Sequence, residues 1–374
     1  MLSKNAIHPF QLSNLHKMTH ANTNVWTFDL SSFMVLLSED EELNYRLMRR
    51  SIYEILCTAP AAGLQSYLRS YSVAIEKVGP IYISQLGRKS APLRNLRLAN
   101  TIASYNLLCD SRYSVYQIPA LQDTRNNLKD IRSLSWMLAT WIITAAIITL
   151  LAILPDTSWV GIVNCAVLPG WSIALRIIES QCIYIATSSP SQPDCLDSVI
   201  IIGRRNSCLI LEGSRQDISR WTGLGVEVKD SVSSKFTEYF TRITTLLILV
   251  FVFVSIPNGT LHDQVSFIAM NILGQANVKI GKYLNAKSCL GSLSKITSTN
   301  VPSRTHVYGL LLRRFGNGDW VDEVGLLPNT AIWKDWRKLV IASQSDSKEL
   351  YEKIVQEHSK PKENLEILVH PETR

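Results

Sequence analysis

From Leu134 to Leu154 the chain reads LSWMLATWIITAAIITLLAIL, without one charged side chain. A helix rises about 1.5 Å per residue and the hydrocarbon core of a bilayer is about 30 Å thick, so this run matches one crossing. In water it would leave a helix apolar on every side and in need of cover. The chain is therefore expected to be an integral membrane protein. A second uncharged run, Ile243 to Ile256, lies far downstream. Each run is followed, after a short break, by a less apolar stretch able to return through the bilayer.

The charges beside these runs give an orientation. Arg125, Lys129 and Arg132 precede the first run, whereas the break after it, Pro155 to Ser158, carries only Asp156. Cytoplasmic flanks collect Lys and Arg, so the first run starts in the cytosol. A return from Trp159 to about Ile185 leads into Arg204, Arg205, Arg215, Arg220, Lys229 and Lys235, again a cytosolic flank. The next crossing, about Phe236 to Ile256, ends in a break, Pro257 to Asp263, without Lys or Arg. A fourth, about Leu261 to Leu284, ends among Lys279, Lys282 and Lys287. Four spans satisfy the rule at every loop and place both termini in the cytosol. Trp136, Trp159, Tyr239 and Tyr283 fall near span ends, where amphipathic rings favour the headgroup zone. The start of the chain has no continuous apolar stretch after its early charge and is broken by His8 and Pro9, so no cleavable signal peptide is expected.

The resulting fold class is mainly α, a polytopic membrane protein with about four transmembrane helices and a small cytosolic α+β hairpin module. Its regions are a cytosolic helical region (1–132), a first transmembrane hairpin (133–185), the hairpin and helix module (186–235), a second transmembrane hairpin (236–284) and a cytosolic C-terminal helical region (285–374). In the first region Ser38 followed by Glu39, Asp40, Glu41 and Glu42 resembles a capped helix start, with the acids as a solvated first turn. Further helical stretches are expected around Leu64 to Val78 and Leu93 to Leu108. In the module, the apolar runs Val199 to Ile202 and Cys208 to Leu211 flank Gly203, Arg204, Arg205 and Asn206, the pattern of a β-hairpin with a basic tip. Ser214 and Asp217 then open a short helix ending near Gly223. In the last region Ile332, Trp333, Trp336, Leu339 and Val340 form one helix face, for the membrane surface or for the other cytosolic parts, and a second helix runs from about Lys348 to His358.

Net charge is +7, yet the 38 basic and 31 acidic residues are interspersed along the chain, which fits juxtamembrane flanks better than a nucleic-acid partner. The seven cysteines contain no C-x-x-C pair, so they are expected to be reduced structural thiols. No phosphate loop, H-E-x-x-H, G-x-S-x-G or strand-linked G-x-G-x-x-G is present, and no cofactor and no metal is expected. His16 and His20 are four apart but lack a third ligand. Asn258-Gly259-Thr260 is a glycosylation sequon in a break too short for a transferase to reach.

Ionisable and amide groups inside spans are costly in lipid, and they mark the candidate site. Arg176 and Glu179 are three apart and able to pair on one helix face, while Asn271, Gln275 and Asn277 need partners inside a bundle. Asp263 sits at the lumenal mouth. Glu179 and Asp263 are the candidate catalytic acids, each suited to protonate an alkene or epoxide if held in an apolar cavity.

The segments IIIGRRNSCLILEGSRQDISRWTGLG (Ile200 to Gly225), IPNGTLHDQVSFIAMNILGQANV (Ile256 to Val278) and LLPNTAIWKDW (Leu326 to Trp336) resemble a group of fungal polytopic membrane proteins, mostly without assigned activity. Some of that group are linked to secondary-metabolite pathways of the indole-diterpene type. The resemblance implies an endomembrane accessory factor or non-redox cyclase in terpenoid-type biosynthesis, in the endoplasmic reticulum or another endomembrane. Its partners would be the lipid bilayer and other membrane-associated biosynthetic enzymes. A scaffold for such enzymes and a small-molecule transporter are the competing readings.

Overall fold

The computed structural model describes residues 39–48, 68, 79–119, 131–185, 195–223, 226–229 and 231–359. In chain order the elements are α1 (Glu39–Leu47), β1 (Ile81–Ser84), β2 (Lys89–Pro92), α2 (Leu96–Ser104), β3 (Arg112–Gln117), α3 (Ile131–Ile153), α4 (Trp159–Cys182) and β4 (Ile183–Ile185). They continue with β5 (Leu196–Ile202), β6 (Cys208–Ser214), α5 (Arg215–Gly223), β7 (Val226–Val228), α6 (Val232–Ser255), α7 (Leu261–Ser292) and β8 (Ser294–Asn300). The last four are α8 (Arg304–Phe315), α9 (Asp319–Val324), α10 (Ala331–Ala342) and α11 (Ser347–Ser359). The described chain is mainly helical and carries a mixed sheet.

The expected hairpin is present, with β5 antiparallel to β6 and Asn206 in the left-handed region at its tip. It is not a small module by itself. The two strands lie at the middle of a six-stranded sheet of order β2-β1-β5-β6-β3-β8, built from segments far apart in sequence. Continuous apolar runs suit strands covered on both faces, and Val199 to Ile201 and Cys208 to Leu211 are all fully buried. One face carries α8, α9, α10 and α11 through Val307, Leu311, Trp320, Trp336 and Ile354. The other carries α2 and α5 through Leu98, Ile102 and Ile218. The apolar face of α10 thus docks on the sheet rather than on a membrane surface. Trp336 is buried there, edge-on to Trp333 at 5.2 Å. Its indole N–H donates to Ser347 O, which ties α10 to the start of α11.

Three helical segments are long and apolar enough to cross a membrane: Leu134–Ile153, Trp159–Cys182 and Val232–Asn258. The expected fourth stretch falls in α7, which runs on to Ser292 and is not one of the three. Its first part buries Phe267, Met270 and Leu273 together with Gly274 and Asn277, and Lys279, Lys282 and Lys287 lie beyond the apolar part. There it packs on α2, where Arg97 Nε donates to Asn285 Oδ1 at 2.8 Å and Asn100 Nδ2 to Lys282 O at 3.2 Å. Tyr45 of α1 lies against Gly281, where any Cβ would meet the phenol oxygen at 1.7 Å.

Strand pairing fixes the ends of these helices. β3 leads toward α3, β6 leads toward α6, and β8 follows α7; β3 is hydrogen-bonded to both β6 and β8. The short ladder of β4 with β7 likewise joins the end of α4 to the approach to α6. All these helix ends therefore meet the sandwich at one side, while the breaks after α3 and α6 lie at the far end of the bundle.

Candidate functional site

Among the described residues, two polar clusters with ionised groups lie at opposite ends of α4. The first gathers Glu42 and Arg46 of α1 with Arg176 and Glu179 of α4, each no more than 6% exposed. Arg46 Nη1 contacts Glu42 Oε2 at 3.1 Å, and its Nε contacts Glu179 Oε2 at 2.7 Å. Arg176 Nη2 contacts Glu42 Oε1 at 3.0 Å, and its Nη1 donates to Ser172 Oγ at 2.7 Å. Among the described residues two acids and two bases face one another, the kind of pairing that lets ions tolerate removal from water. Arg176 Nε is buried without a hydrogen-bond partner. Leu43 and Leu47 on α1 pack with Leu96 and Ile183, so an apolar stripe seats the helix that brings the two extra charges.

Arg176 and Glu179 do share a face of α4, and each is engaged by a residue of α1. Glu42, expected in a solvated first turn, is instead buried, because α1 lies on α4 rather than in water. Arg46 and Glu42 are the members that sequence reasoning missed. Their four-residue spacing was the available signal, but it marks any solvated helix pair equally well.

The second cluster centres on Asp263 at the start of α7, where it is fully buried. Its carboxylate accepts from Ser158 Oγ at 2.6 Å and from the Thr260 N–H at 2.9 Å, and more distantly from the Ser158 N–H at 3.3 Å. Thr260 and Asp263 form a capping box, and Ser158 caps α4. One carboxylate thus closes the first turns of two helices, where the positive ends of both dipoles favour it. Gly161 permits the approach, since a Cβ there would fall 2.1 Å from Asp263 Oδ1 and 2.8 Å from its Cβ. Close by, Asn164 Nδ2 donates to Ser255 Oγ at 2.9 Å, joining α4 to α6.

The candidate acids do not form one site. Ser158, bonded to Asp263, and Glu179 lie at opposite ends of α4, about 30 Å apart along the helix. Asn271 Nδ2 bonds back to Phe267 O at 2.9 Å, Gln275 is half-buried, and Asn277 accepts from Trp136 Nε1 at 3.0 Å. Asn271 thus serves its own helix and Asn277 a neighbouring one. A proton donor needs a carboxyl group free to face substrate, and both carboxylates are bonded to groups that hold helices together. Among the described residues no group of three His, Cys, Asp or Glu is placed to hold a metal; His16 and His20 lie outside them. Burial in the sheet pushes the Cys208 thiol well above its usual range, which keeps it protonated and inert. Comparison with protein-family models, with curated proteins and with solved structures gave no match.

Proposed function

We propose that the chain crosses the membrane four times and serves as an accessory factor or scaffold, holding an α/β sandwich against the cytosolic face for membrane-associated biosynthetic enzymes. The observation that carries the topology is strand parity. β3, β6 and β8 share one sheet, so the number of crossings between any two of them is even. With α6 spanning between β6 and β8, the segment that returns the chain to the sheet is α7, whose length of about 48 Å exceeds the bilayer core. Cysteine introduced at Asn258, in the break after α6, is expected to label only from the side opposite to one introduced at Arg205; labelling from the same side removes the four-span reading.

The scaffold role is favoured over an acid-catalysed cyclisation by the engagement of Glu179 and Asp263 in helix packing. The expected test uses a deletion strain whose metabolite profile is compared with that of the intact strain. A chain carrying Glu179→Gln and Asp263→Asn is expected to restore that profile wherever its abundance is kept. Loss of one product at full abundance would reinstate the cyclase reading, and finished product accumulating inside the deletion strain would favour transport.

A further inference from the structure

At the membrane-distal end of the sandwich, Ser303 Oγ lies 2.6 Å from His306 Nδ1, and His306 Nε2 lies 2.8 Å from Asp346 Oδ2. We propose that Ser303, His306 and Asp346 form a nucleophilic acyl-transfer site that hydrolyses small carboxylic esters arriving from water. This goes beyond anchoring or scaffolding and does not depend on it.

The proton positions follow from the partners. Asp346 accepts through Oδ1 from the N–H groups of Lys348 and Glu349, at 2.8 and 3.1 Å. Burial alone would raise its pKa, but the bond from the Glu349 N–H, the His306 contact and the Lys348 N–H together hold it below the usual carboxylate value. A charged carboxylate at Nε2 keeps the ring proton there. Nδ1 then carries the lone pair, and the Ser303 hydroxyl donates to it. The ring is turned end for end relative to the common serine-hydrolase arrangement, with the same division of roles between its two nitrogens.

The three groups are held by structure on each side. Ser303 follows the end of β8, where the Val301 N–H donates to Ser111 O at 2.7 Å and Asn206 Nδ2 donates to Pro302 O at 3.3 Å. Gly309, one turn beyond His306, lets the start of α11 come close, since a Cβ there would lie 2.5 Å from Ser347 Cβ. Trp336 Nε1 on Ser347 O and Arg313 on Ser345 O fix the residues flanking Asp346. His306 and Asp346 keep 19% and 41% of their side chains accessible, so a small substrate can reach them.

Ser303 is also the residue before α8, yet its side chain caps none of the helix's opening N–H groups. The N–H groups of Arg304 and Thr305 follow the serine at the start of the helix and would be the donors for a developing oxyanion, as the amide after the nucleophile is in strand-to-helix elbows. In the reaction Ser303 Oγ bonds to the acyl carbon while its proton passes to Nδ1. The C–O bond to the alcohol then breaks, and the alcohol leaves with that proton. Water attacks the acyl-serine, gives its proton to Nδ1, and releases the acid as the proton returns to Oγ.

The test exposes the full chain in detergent micelles to a fluorophosphonate, with peptide mass spectrometry and p-nitrophenyl acetate hydrolysis as readouts. One label at Ser303 is expected. His306→Asn should slow labelling at least about 100-fold, within the usual contribution of a general base, and Asp346→Asn should slow it less. Hydrolysis should fall to the Ser303→Ala background. Variants are compared only where their thermal melts match the parent. Should His306→Asn or Ser303→Ala melt early, Ser303→Cys in an otherwise unchanged chain supplies the second measure. Its alkylation by iodoacetamide at pH 7 should exceed that of free cysteine, because His306 would draw the thiol proton. An unlabelled Ser303 in the folded parent, equal labelling in His306→Asn, or alkylation of Ser303→Cys no faster than free cysteine would overturn the proposal.

Discussion

In the sandwich, Ile200, Leu209, Ile210 and Trp336 are withdrawn from solvent, and the buried charges among the described residues, Asp197, Asp217 and Arg337, are each hydrogen-bonded. In the helical bundle, Ile142 and Leu247 are more than 60% exposed, while Asn164, Ser172, Thr245, Asp263 and Asn277 are fully buried. On the four-span proposal the two regions obey one rule in two solvents, three of the helices being long and apolar enough to cross a membrane. Water drives apolar surface inward at about 25 cal/mol per Å², whereas lipid offers no such force and leaves packing and interhelical hydrogen bonds to join the helices. The sandwich therefore gains its stability from area, and the bundle from close packing, as at Leu151, Met270 and Leu273, together with a few polar groups with definite partners.

The largest expected effect tests that contrast directly. Arg176→Met removes a partner of Glu42 and leaves a buried carboxylate short of compensation, at a cost of about 3–5 kcal/mol. Replacing Glu42, Arg46, Arg176 and Glu179 together with apolar residues of similar volume is expected to cost less than the single change, because the ion pairs among them are removed whole. Thermal unfolding in micelles reads both. An unchanged melting temperature in the single variant would mean that water reaches the cluster, and the contrast would fail there. A paired substitution sharpens the comparison next. Ile142→Arg, on the lipid side of α3, is expected to cost about 3 kcal/mol of insertion. Ile81→Arg, exposed beside the water-side end of the sheet, should stay within about 0.5 kcal/mol. Resistance to alkaline carbonate extraction measures the first, and the melting temperature measures the second.

What the sequence disclosed follows the same division. The run at Leu134, the β5–β6 hairpin with its Asn206 tip, and the helices around Trp336 and Ile354 each carry their signal within a few neighbouring residues. β2 (KSAP), β3 (RYSVYQ) and β8 (SKITSTN) do not. β8 is exposed along its whole length and is a strand because β3 pairs with it. The candidate site divides likewise. Arg176 and Glu179 stood out because charge within an apolar stretch is conspicuous, but their partners lie more than 130 positions away, and no local period reports that. Ser303 and His306 are close in sequence, but only the packing of α11 on α8 brings Asp346 to them.

Asp263 gives a smaller effect than Arg176→Met or Ile142→Arg and separates capping from charge. Asp263→Ala removes the acceptor for Ser158 and Thr260 at two helix starts, and each of these lost hydrogen bonds is worth about 1 kcal/mol, while Ser158 and Thr260 remain as the caps. The total should therefore be about 2 kcal/mol. Asp263→Asn keeps one carbonyl oxygen and the side-chain shape, so it should lose about half as much, with its amide placed beside donors rather than acceptors. Micelle unfolding compares the two. If Asn were as damaging as Ala, charge at the paired helix dipoles would outweigh the hydrogen bonds. The bundle's far end would then be held electrostatically, as its near end is by the Glu42 and Arg46 pairs, rather than by cap geometry.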